Sequence, residues 1–510
     1  MKKITTSLLL ISTITTITFS QSYIDTSFGI NGVSNIKVLD YIEQDLPSGF
    51  CVTNSEKLVN VAIGNNDSDE SVSIIAQYDT NGNLDPNFGN NGTLELTDFL
   101  GIDVISQNEY ICVTGISNTN AELTILKLDS FGNADSGFGN NGKASLGILG
   151  TFGYSTKIDS NGKLVVAGKH ISTTTEENQL IITRFNNNGT LDTTFGTNGI
   201  TQIDLGHAVT NEEIQVINLE LYNNNEILVT GTVYLPDNDM PAGDPKSNEF
   251  ALKASSNGVL DSDFGNNGFT IYYDLTPNHA LTNTSYILPN EKIFMSVDGV
   301  GGVNNSQTGL LRLNGDGSID TSFGNNGILK LFNHSFYIYD FFDSQTDNNI
   351  YVLGEGNNNE IFHALIKINE NGISDVSFAD NGTLIIDIEL DNVENLNSGI
   401  ELSDGKILVS GHNENEDGFV MTRFFKENQL NISDTALKTV ALYPNPVRNE
   451  INIKSTQAIN QLQIYQIDGK LVYNQYLNTN LADVSLLKAG LYIVKAFSEN
   501  KVETFKINKL

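Results

Sequence analysis

Short apolar runs of five to eight residues recur along most of the chain, and polar turns rich in asparagine, aspartate and glycine separate them. Examples are "GKLVVAG" from Gly162, "QLIITRF" from Gln179 and "GKILVSG" from Gly405. Runs of this length between turn residues are typical of buried β-strands. The pattern therefore predicts an all-β chain built from many short strands.

A nine-residue motif follows most pairs of runs, as in "LDTTFGTNG" from Leu191. It occurs seven times, and the spacings between successive phenylalanines are 60, 50, 57, 69, 59 and 55 residues. These phenylalanines are Phe28, Phe88, Phe138, Phe195, Phe264, Phe323 and Phe378. A period of about 58 residues is typical of repeat architectures.

The motif itself predicts a structural loop. Its aliphatic residue and phenylalanine can be buried together, its aspartate can accept hydrogen bonds from the turn, and its glycines allow positive φ angles. Seven related copies cannot all be catalytic, since a catalytic centre requires unequal residues in one place. We therefore interpret the motif as a joint between repeats.

About four short strands per repeat predict a blade of a β-propeller, and seven repeats predict seven blades. An open stack of repeats is the alternative, but it would need polar caps at both ends. Here the first motif copy has no preceding strands, and the last strand pair, which ends near Phe425, has no following motif. The copy at Ile24 to Gly32 is therefore expected to close the ring.

The propeller expected for residues 21–430 resembles the delta-60 repeat family of β-propellers, through its "LDxxFGxNG" motif and "GKILVxG" strand. The last motif copy departs from this pattern, with Ser374 in place of the aliphatic residue and Ala379 in place of the first glycine. An irregular blade is expected there. The resemblance implies a fold and says little about function.

The ends of the chain indicate export. Lys2 and Lys3 precede an apolar stretch that ends in small residues before Gln21, so residues 1–20 are expected to be a secretory signal peptide. No later stretch has the length and apolar character of a transmembrane segment. Cys51 and Cys112 are the only cysteines, and Cys112 lies in the apolar run "YICVTG", which predicts a buried thiol. A disulfide between the two remains open.

The charge of the chain is strongly acidic, with 28 basic and 61 acidic residues and a formal net charge of −33. Such a charge repels nucleic acid and anionic lipid, so neither is expected as a partner. Residues 442–510 differ, since they hold eight basic and five acidic residues. This change of composition predicts a separate domain after a linker at 431–441.

Residues 442–510 read as alternating strands with an "IDGK" hairpin turn, which predicts a small β-sandwich. The module resembles the type A C-terminal sorting domain of the type IX secretion system of Gram-negative bacteria. The resemblance rests on Tyr443, Pro444, Asn445, Pro446, Asp468, Gly469, Lys470, Ala489, Gly490, Leu491, Tyr492 and Lys506. It implies recognition by the type IX secretion machinery, and a mature protein that is released or attached to surface lipopolysaccharide.

No catalytic, cofactor or metal-binding signature is found. The six histidines show neither metal-ligand spacing nor a nucleophile partner; they are His170, His207, His279, His334, His363 and His412. Calcium stays open as an alternative, because "DTNGNLD" from Asp79 and "NENEDG" from Asn413 alternate oxygen ligands, but neither ends in the glutamate that such loops need.

The hairpin loops vary while the motif loops repeat, and the topology of a blade predicts opposite faces for the two sets. Variable loops on a rigid frame are where binding usually resides. The longest loop, with Asp237, Asp239 and Asp244, is the candidate binding loop; a merely solvated loop is the alternative.

The leading hypothesis for the function is a secreted or surface-displayed module for binding or adhesion, with an unknown extracellular glycan or protein ligand. The alternative is an extracellular enzyme, for example a polysaccharide-cleaving one, acting at the variable face or in the central channel. Carboxylates that converge in the channel and come unequally from different blades would favour the enzyme. Equivalent apolar or amide groups would exclude it.

Overall fold

A computed structural model was used, and it describes residues 23–37, 41–42, 49–65, 71–172, 178–204, 214–236, 245–273, 284–297, 309–332, 334–357, 361–386, 395–413, 418–427, 440–455, 458–466, 470–477, 479–498 and 502–510. Every regular element in these ranges is a β-strand. No helix suited to crossing a membrane occurs in them. The chain divides into two compact units, Met1–Gln429 and Leu430–Leu510.

The strands of the first unit follow each other in chain order and group into sheets, which we call blades 1 to 7. The strand β1 (Val33–Lys37) comes first and belongs to blade 7. Blade 1 has β2 (Tyr41–Ile42), β3 (Gly49–Val52), β4 (Leu58–Asn65), β5 (Ser71–Tyr78) and β6 (Thr93–Leu96); blade 2 has β7 (Phe99–Gln107), β8 (Tyr110–Ser117), β9 (Glu122–Leu128) and β10 (Lys143–Ser145); blade 3 has β11 (Thr151–Ile158), β12 (Leu164–Ile171), β13 (Asn178–Phe185) and β14 (Ile200–Ile203).

The later blades repeat this order. Blade 4 has β15 (Ile214–Leu221), β16 (Ile227–Pro236), β17 (Pro245–Ala254) and β18 (Phe269–Tyr272); blade 5 has β19 (Ser285–Ile287), β20 (Ile293–Val297), β21 (Gly309–Leu313) and β22 (Ile328–Leu329); blade 6 has β23 (Ser335–Asp343), β24 (Ile350–Asn357), β25 (Ile361–Ile368) and β26 (Thr383–Ile386); blade 7 has β27 (Asn395–Glu401), β28 (Ile407–Asn413), β29 (Gly418–Phe424) and β1.

Blades 2 to 6 are antiparallel meanders in which strands that follow each other in sequence are neighbours in the sheet. In blade 1 both β2 and β3 pair with β4, and in blade 7 the outer strand is β1. The middle strands are buried almost throughout, as in β4 and β12. They lie between two neighbouring blades, so both of their faces are covered, which explains their continuous rather than alternating apolar sequences. The outer strands, such as β6 and β14, are short and only partly buried.

Seven apolar clusters join the blades in a circuit. Six of them each contain residues of two consecutive blades. The seventh joins blade 7 to blade 1, where Leu408 and Met421 pack with Leu58 and Tyr78. The blades therefore form a closed ring, and the all-β propeller expected from the repeat is confirmed.

The ring is closed by the N-terminal motif copy, as the sequence predicts. Strand β1 pairs antiparallel with β29, in register Val33 with Thr422. The Asp25 amide donates to the Arg423 carbonyl at 2.8 Å, and the Phe425 amide donates to the Tyr23 carbonyl at 2.7 Å. The outer strand of blade 7 is thus supplied from the opposite end of the unit, and no edge is left at the junction.

The motif forms the joint between successive blades. Phe195 is fully buried, and its ring lies only 2.6 Å from the position that a Cβ on Gly258, in the next blade, would occupy. The Gly196 amide donates to the Asn257 carbonyl of that blade at 2.8 Å. Gly258 and Gly196 both have positive φ angles, of 78° and 50°. A side chain at Gly258 would therefore be strained and would displace the ring.

The irregular blade expected from Ser374 and Ala379 is not found, and that prediction is wrong. Blade 6 has the same four strands in the same order as its neighbours. Ala379 adopts a φ of 44°, close to that of the glycines it replaces. Phe378 is buried and its carbonyl accepts from the Gly382 amide at 2.7 Å. Burial of the phenylalanine therefore holds the turn in shape despite the added Cβ.

The second unit contains two antiparallel sheets. Strands β30 (Val440–Tyr443), β31 (Glu450–Ser455) and β34 (Leu481–Asp483) form one, and β32 (Gln461–Gln466), β33 (Leu471–Tyr476), β35 (Gly490–Phe497) and β36 (Val502–Lys509) form the other. Both sheets contribute to one apolar core, with Ile451 and Ile453 from the first and Leu462, Ile464 and Val494 from the second.

Candidate functional site in the central channel

The candidate binding loop lies outside the described residues, since Asp237, Asp239 and Asp244 fall between β16 and β17 in a segment that the structure does not describe. The described strand ends on either side of this segment, Pro236 of β16 and Pro245 of β17, pair with each other. The motif of the same blade follows the other end of β17, after Ala254.

The described histidines are dispersed over the ring. His170 contacts Gln202, His334 stacks on Phe332 with ring centroids 5.0 Å apart, and His363 Nε2 lies 3.6 Å from Glu355. His412 is buried, and burial lowers its pKa. His207 and His279 lie outside the described residues.

The aspartate proposed as an alternative calcium ligand is used in a turn. The Asp79 carboxylate accepts hydrogen bonds from the Asn81 and Asn83 amides, both at 2.9 Å. Asn413 ends β28, and the rest of "NENEDG" up to residue 417 is not described. The described ranges contain no group of three or more His, Cys, Asp or Glu side chains arranged to hold a metal ion.

The cysteines are both free thiols. Cys112 is fully buried, as its apolar neighbours predict, and Cys51 is partly buried. Burial raises the pKa of both thiols. They are therefore neutral and unreactive at neutral pH.

The motif aspartates are neutralised within the joints. Asp192 is paired with Arg184 at 2.8 Å and with Lys163 at 2.7 Å, and it also accepts from the Thr194 amide and hydroxyl. Although burial works in the other direction, these hydrogen bonds hold the pKa of Asp192 well below its usual range. The Arg184 guanidinium also lies over the Phe195 ring, 4.9 Å from its centroid.

This arrangement recurs around the ring. A cation from the third strand pairs with the motif aspartate in six joints: Arg184 with Asp192, Arg312 with Asp320, Arg423 with Asp25, Lys127 with Asp135, Lys253 with Asp261 and Lys367 with Asp375. These cations were not predicted from the sequence. The signal was present, because "TRF" precedes the turn in two repeats, and Arg or Lys stands at the same place in four others, whereas the first repeat has Gln77 there.

The first strand of each blade faces the channel, and several of these strands contain a β-bulge at the same place. The register shifts between Gly101 and Asp103, and equivalent shifts occur in β11, β15, β23 and β27. A bulge redirects the following side chains. The residues just after the bulges are Asp103, Ser155, Asn218, Asp340 and Ser398.

The side chains after the bulges connect neighbouring blades. Asp103 accepts from the Thr156 amide at 2.7 Å, Ser155 from the Leu219 amide at 3.2 Å, and Asp340 from the Gly399 amide at 2.9 Å. This position is thus structural in every blade where the contact is seen. Among these five strands, those of blades 2 and 6 place a carboxyl group there, whereas the other three have serine or asparagine, so the blades present different chemical groups to the channel.

Two residues further along, the first strands of blades 3 and 4 provide an ion pair. Lys157 Nζ lies 3.0 Å from the Glu220 carboxylate, and the two side chains remain 40% and 24% exposed within the channel. Burial alone would lower the pKa of Lys157, but the carboxylates of Glu220, Asp103 and Asp340 together raise it. Lys157 is therefore a cation at neutral pH, and it interacts electrostatically with carboxyl groups from three other blades.

Asp103 and Asp340 differ from the motif aspartates in the direction of their pKa shift. Burial in the channel raises the pKa of Asp103 to about 6, despite the opposing effects of Lys157 and the Thr156 amide. Burial likewise raises the pKa of Asp340 to about 7, against the Gly399 amide and Lys157. Both groups can hold or release a proton near neutral pH.

The other residues that line the channel also differ from blade to blade. The Tyr286 hydroxyl of blade 5 donates to the Asp343 carboxylate of blade 6. Blades 1 and 7 contribute small or apolar residues to the lining, among them Cys51, Gly399 and Ile400. Together the first strands enclose a cavity of about 590 Å³, a volume in the range of small-ligand sites.

The central channel was predicted from the sequence as one possible place for a site, but none of the residues that line it was predicted to lie there. One signal was available. When the first strands are aligned on the turn that follows them, Lys157 and Glu220 stand where other repeats have cysteine, isoleucine or phenylalanine. Polar residues at a position that is apolar in the other repeats therefore indicate the part of the channel that is specific to single blades.

Some residues of the proposed sorting motif hold the fold of the second unit together, and others have exposed side chains. Asn445 fixes the start of the unit to its end, since its side chain donates to the Lys506 carbonyl at 2.9 Å and accepts from the Asn508 amide at 2.8 Å. Tyr492 is buried and its hydroxyl donates to the Lys488 carbonyl. The side chains of Tyr443, Lys470, Leu491 and Lys506 are exposed. Asp468 and Gly469 lie outside the described residues.

Two family models match parts of the chain. Residues 441–509 match the secretion system C-terminal sorting domain, and residues 160–195 and 297–323 match a domain of unknown function (DUF5122) that is a β-propeller. No curated protein matches the sequence. The protein thus combines a β-propeller with a sorting domain of the type IX secretion system, which directs it to the cell surface or the extracellular space.

Solved structures with similar folds are distant. PorZ, a surface component of the type IX secretion system of Porphyromonas gingivalis, is 10% identical over 91% of this chain and 70% of its own, with a TM-score of 0.32. The polysaccharide lyase Uly1 is 10% identical over 75% and 90%, with a TM-score of 0.45. A PL25 ulvan lyase is 10% identical over 77% and 96%, with a TM-score of 0.43. These similarities do not bear on what this chain binds.

Proposed function

We propose that the protein is a surface-displayed or released propeller that binds an extracellular ligand in its central channel. The observation that carries this proposal is the cavity of about 590 Å³, whose lining differs from blade to blade. The joints between blades repeat the same aspartate, cation and phenylalanine, whereas the channel places Lys157, Glu220, Asp103 and Asp340 in single blades. Unequal polar groups in a cavity are typical of a site that recognises a ligand.

Export is proposed to use both ends of the chain. Residues 1–20 act as the signal peptide, residues 431–441 as the linker, and residues 442–510 as the sorting domain. The exposed Tyr443, Lys470, Leu491 and Lys506 are available to the secretion machinery, whereas Asn445 and Tyr492 maintain the fold of the domain. Attachment to surface lipopolysaccharide and release are both compatible with this arrangement.

The binding proposal is tested by screening the purified full chain against glycans and proteins, with and without calcium, followed by titration of any ligand found. Replacing Lys157 by Met should change the affinity for that ligand about tenfold or more, because it removes a charged hydrogen-bonding group that contributes about 1.5–3 kcal/mol. Lys143→Met is the matched control, since Lys143 forms an exposed ion pair with Asp98 on the outer side of blade 2. Equal binding by both variants and the parent protein would exclude the channel.

Catalysis in the same channel is a second candidate, and one observation favours it. The carboxyl groups of Asp103, Glu220 and Asp340 converge from three different blades, which is the arrangement expected of an enzyme. Asp340 could supply a proton, while Glu220 forms the ion pair with Lys157. Binding is placed first because Asp103 and Asp340 already connect neighbouring blades. Release of shortened products from a bound polysaccharide, lost in Glu220→Gln, would support the enzyme.

A further inference from the structure

The cavity in the ring holds more carboxyl groups than cations. Among the described residues that line it, Lys157 is the only basic side chain, and it is already paired with Glu220 at 3.0 Å. Asp103 and Asp340 interact with the same lysine at longer range. Their oxygens accept hydrogen bonds from backbone amides of the next blade, at 2.7 and 2.9 Å. Backbone amides provide partial charge only, so two carboxylates lack a full counter-charge.

The other carboxyl groups that line the cavity have hydrogen-bond or ion-pair partners, and the thiol that lines it stays protonated. In β19 and β23, the Tyr286 hydroxyl donates to Asp343. In β27, Glu401 is paired with Lys426 at 2.9 Å. In β3, burial keeps the Cys51 thiol protonated by raising its pKa. None of these lining groups is a cation, so none of them balances the charge of Asp103 and Asp340.

We propose that the channel is a pH-sensitive site for a ligand that carries an ammonium group, which replaces the protons held by Asp103 and Asp340. This inference rests on the proposed function, because it concerns the charge preference of the same cavity. With both aspartates protonated, the Lys157–Glu220 pair is neutral overall. With both ionised, the cluster carries two net negative charges, and a positively charged group restores the balance.

The direction of the pH dependence follows from the protonation states. The pKa values of Asp103 and Asp340, about 6 and about 7, place the change in the physiological range. An ammonium ligand favours the ionised aspartates, so binding releases protons and the affinity rises with pH. A neutral ligand of the same shape lacks this coupling. Release of one proton changes the affinity about tenfold per pH unit between the two limits.

The test uses cadaverine, which stays fully charged across this range, and 1,5-pentanediol, its neutral analogue. Calorimetric titration of the full chain at constant ionic strength should show cadaverine binding that strengthens about tenfold or more from about pH 5 to about pH 8, with proton release visible as a dependence on the buffer. Asp340→Asn and Asp103→Asn should each reduce this pH dependence, since asparagine keeps an acceptor for the backbone amide. Asp98→Asn, from the exposed pair with Lys143, is the matched control.

Failure of this inference can be distinguished by experiment from failure of the proposed function. If cadaverine binds equally at both pH values, or does not bind at all, the inference is overturned. If the Lys157→Met variant loses the binding of another ligand, the channel is still supported as the binding site. Infrared titration of the unmodified protein provides a measurement that needs no variant. Two carboxyl groups titrating near pH 6 and 7 are expected, and titration of every carboxyl group below about pH 5 would contradict the inference.

Discussion

Aspartates in the joints and aspartates in the channel have opposite electrostatic environments in the same ring. Asp192 is deeply buried between Arg184 and Lys163, and the hydrogen bonds it accepts keep it ionised. Asp340 is half-buried and accepts only backbone amides at short range, so burial raises its pKa to about 7. Burial raises the pKa in both places, and the difference lies in the hydrogen bonds that Asp192 accepts from Lys163, Thr194 and Arg184.

The comparison shows that different positions of the repeat serve stability and ligand recognition. The joint pairs aspartate with a cation in most blades and encloses a phenylalanine, so its charges cancel locally. The channel position after the bulge needs only a hydrogen-bonding group, which serine and asparagine provide in other blades. A carboxyl group at this position therefore adds charge that the fold does not need, and that charge is available to a ligand.

The largest expected effect comes from removing a joint phenylalanine. Phe195→Ala removes a fully buried ring between blades 3 and 4, so the free energy of unfolding should fall by about 3–5 kcal/mol. Tyr339→Ala, which truncates a half-buried side chain of the channel lining, should cost about 1 kcal/mol. Urea unfolding followed by circular dichroism measures both. Similar losses would mean that channel and joints contribute alike to stability.

A second prediction applies one substitution to both kinds of aspartate. Asp192→Asn leaves Arg184 and Lys163 without their carboxylate and should cost about 3 kcal/mol at neutral pH. Asp340→Asn should instead stabilise the protein by about 1–2 kcal/mol at pH 8, because it removes a charge that burial disfavours. The signs of the two effects are therefore opposite.

The pH dependence of the free energy of unfolding distinguishes the raised pKa of Asp340 from the lowered pKa of Asp192. A raised pKa means that folded Asp340 holds a proton that the unfolded chain loses above about pH 4, so this group makes stability fall as the pH rises from about 4 to 7. The advantage of Asp340→Asn should appear over that range. The lowered pKa of Asp192 contributes stability above about pH 4, and that contribution is lost as the pH falls further. Unfolding curves at several pH values measure both, and equal signs at pH 8 would contradict the comparison.

The sequence predicts the propeller and its closure because the repeat makes both visible. Seven copies of the motif, of which the copy at Ile24 to Gly32 has no preceding strands, are enough to infer that β1 completes blade 7. The channel is not visible in this way. Asp103 and Asp340 lie in short apolar runs, and bulges in β7 and β23 shift the alternation of side chains, so the strand pattern alone does not show which residues face inward.

The smallest expected effect concerns the motif copy that departs from the repeat. Ala379→Gly should stabilise the protein by about 0.5–1 kcal/mol, because a Cβ at a φ of 44° is strained and glycine is not. The matched reverse change is Gly196→Ala at a φ of 50°, where the added Cβ would lie 2.4 Å from the Ile200 carbonyl oxygen, and this variant should be destabilised by more than 1 kcal/mol. Thermal unfolding compares both with the parent protein. A destabilised Ala379→Gly variant would mean that the alanine side chain contributes packing to the joint of blade 6 that outweighs its strain.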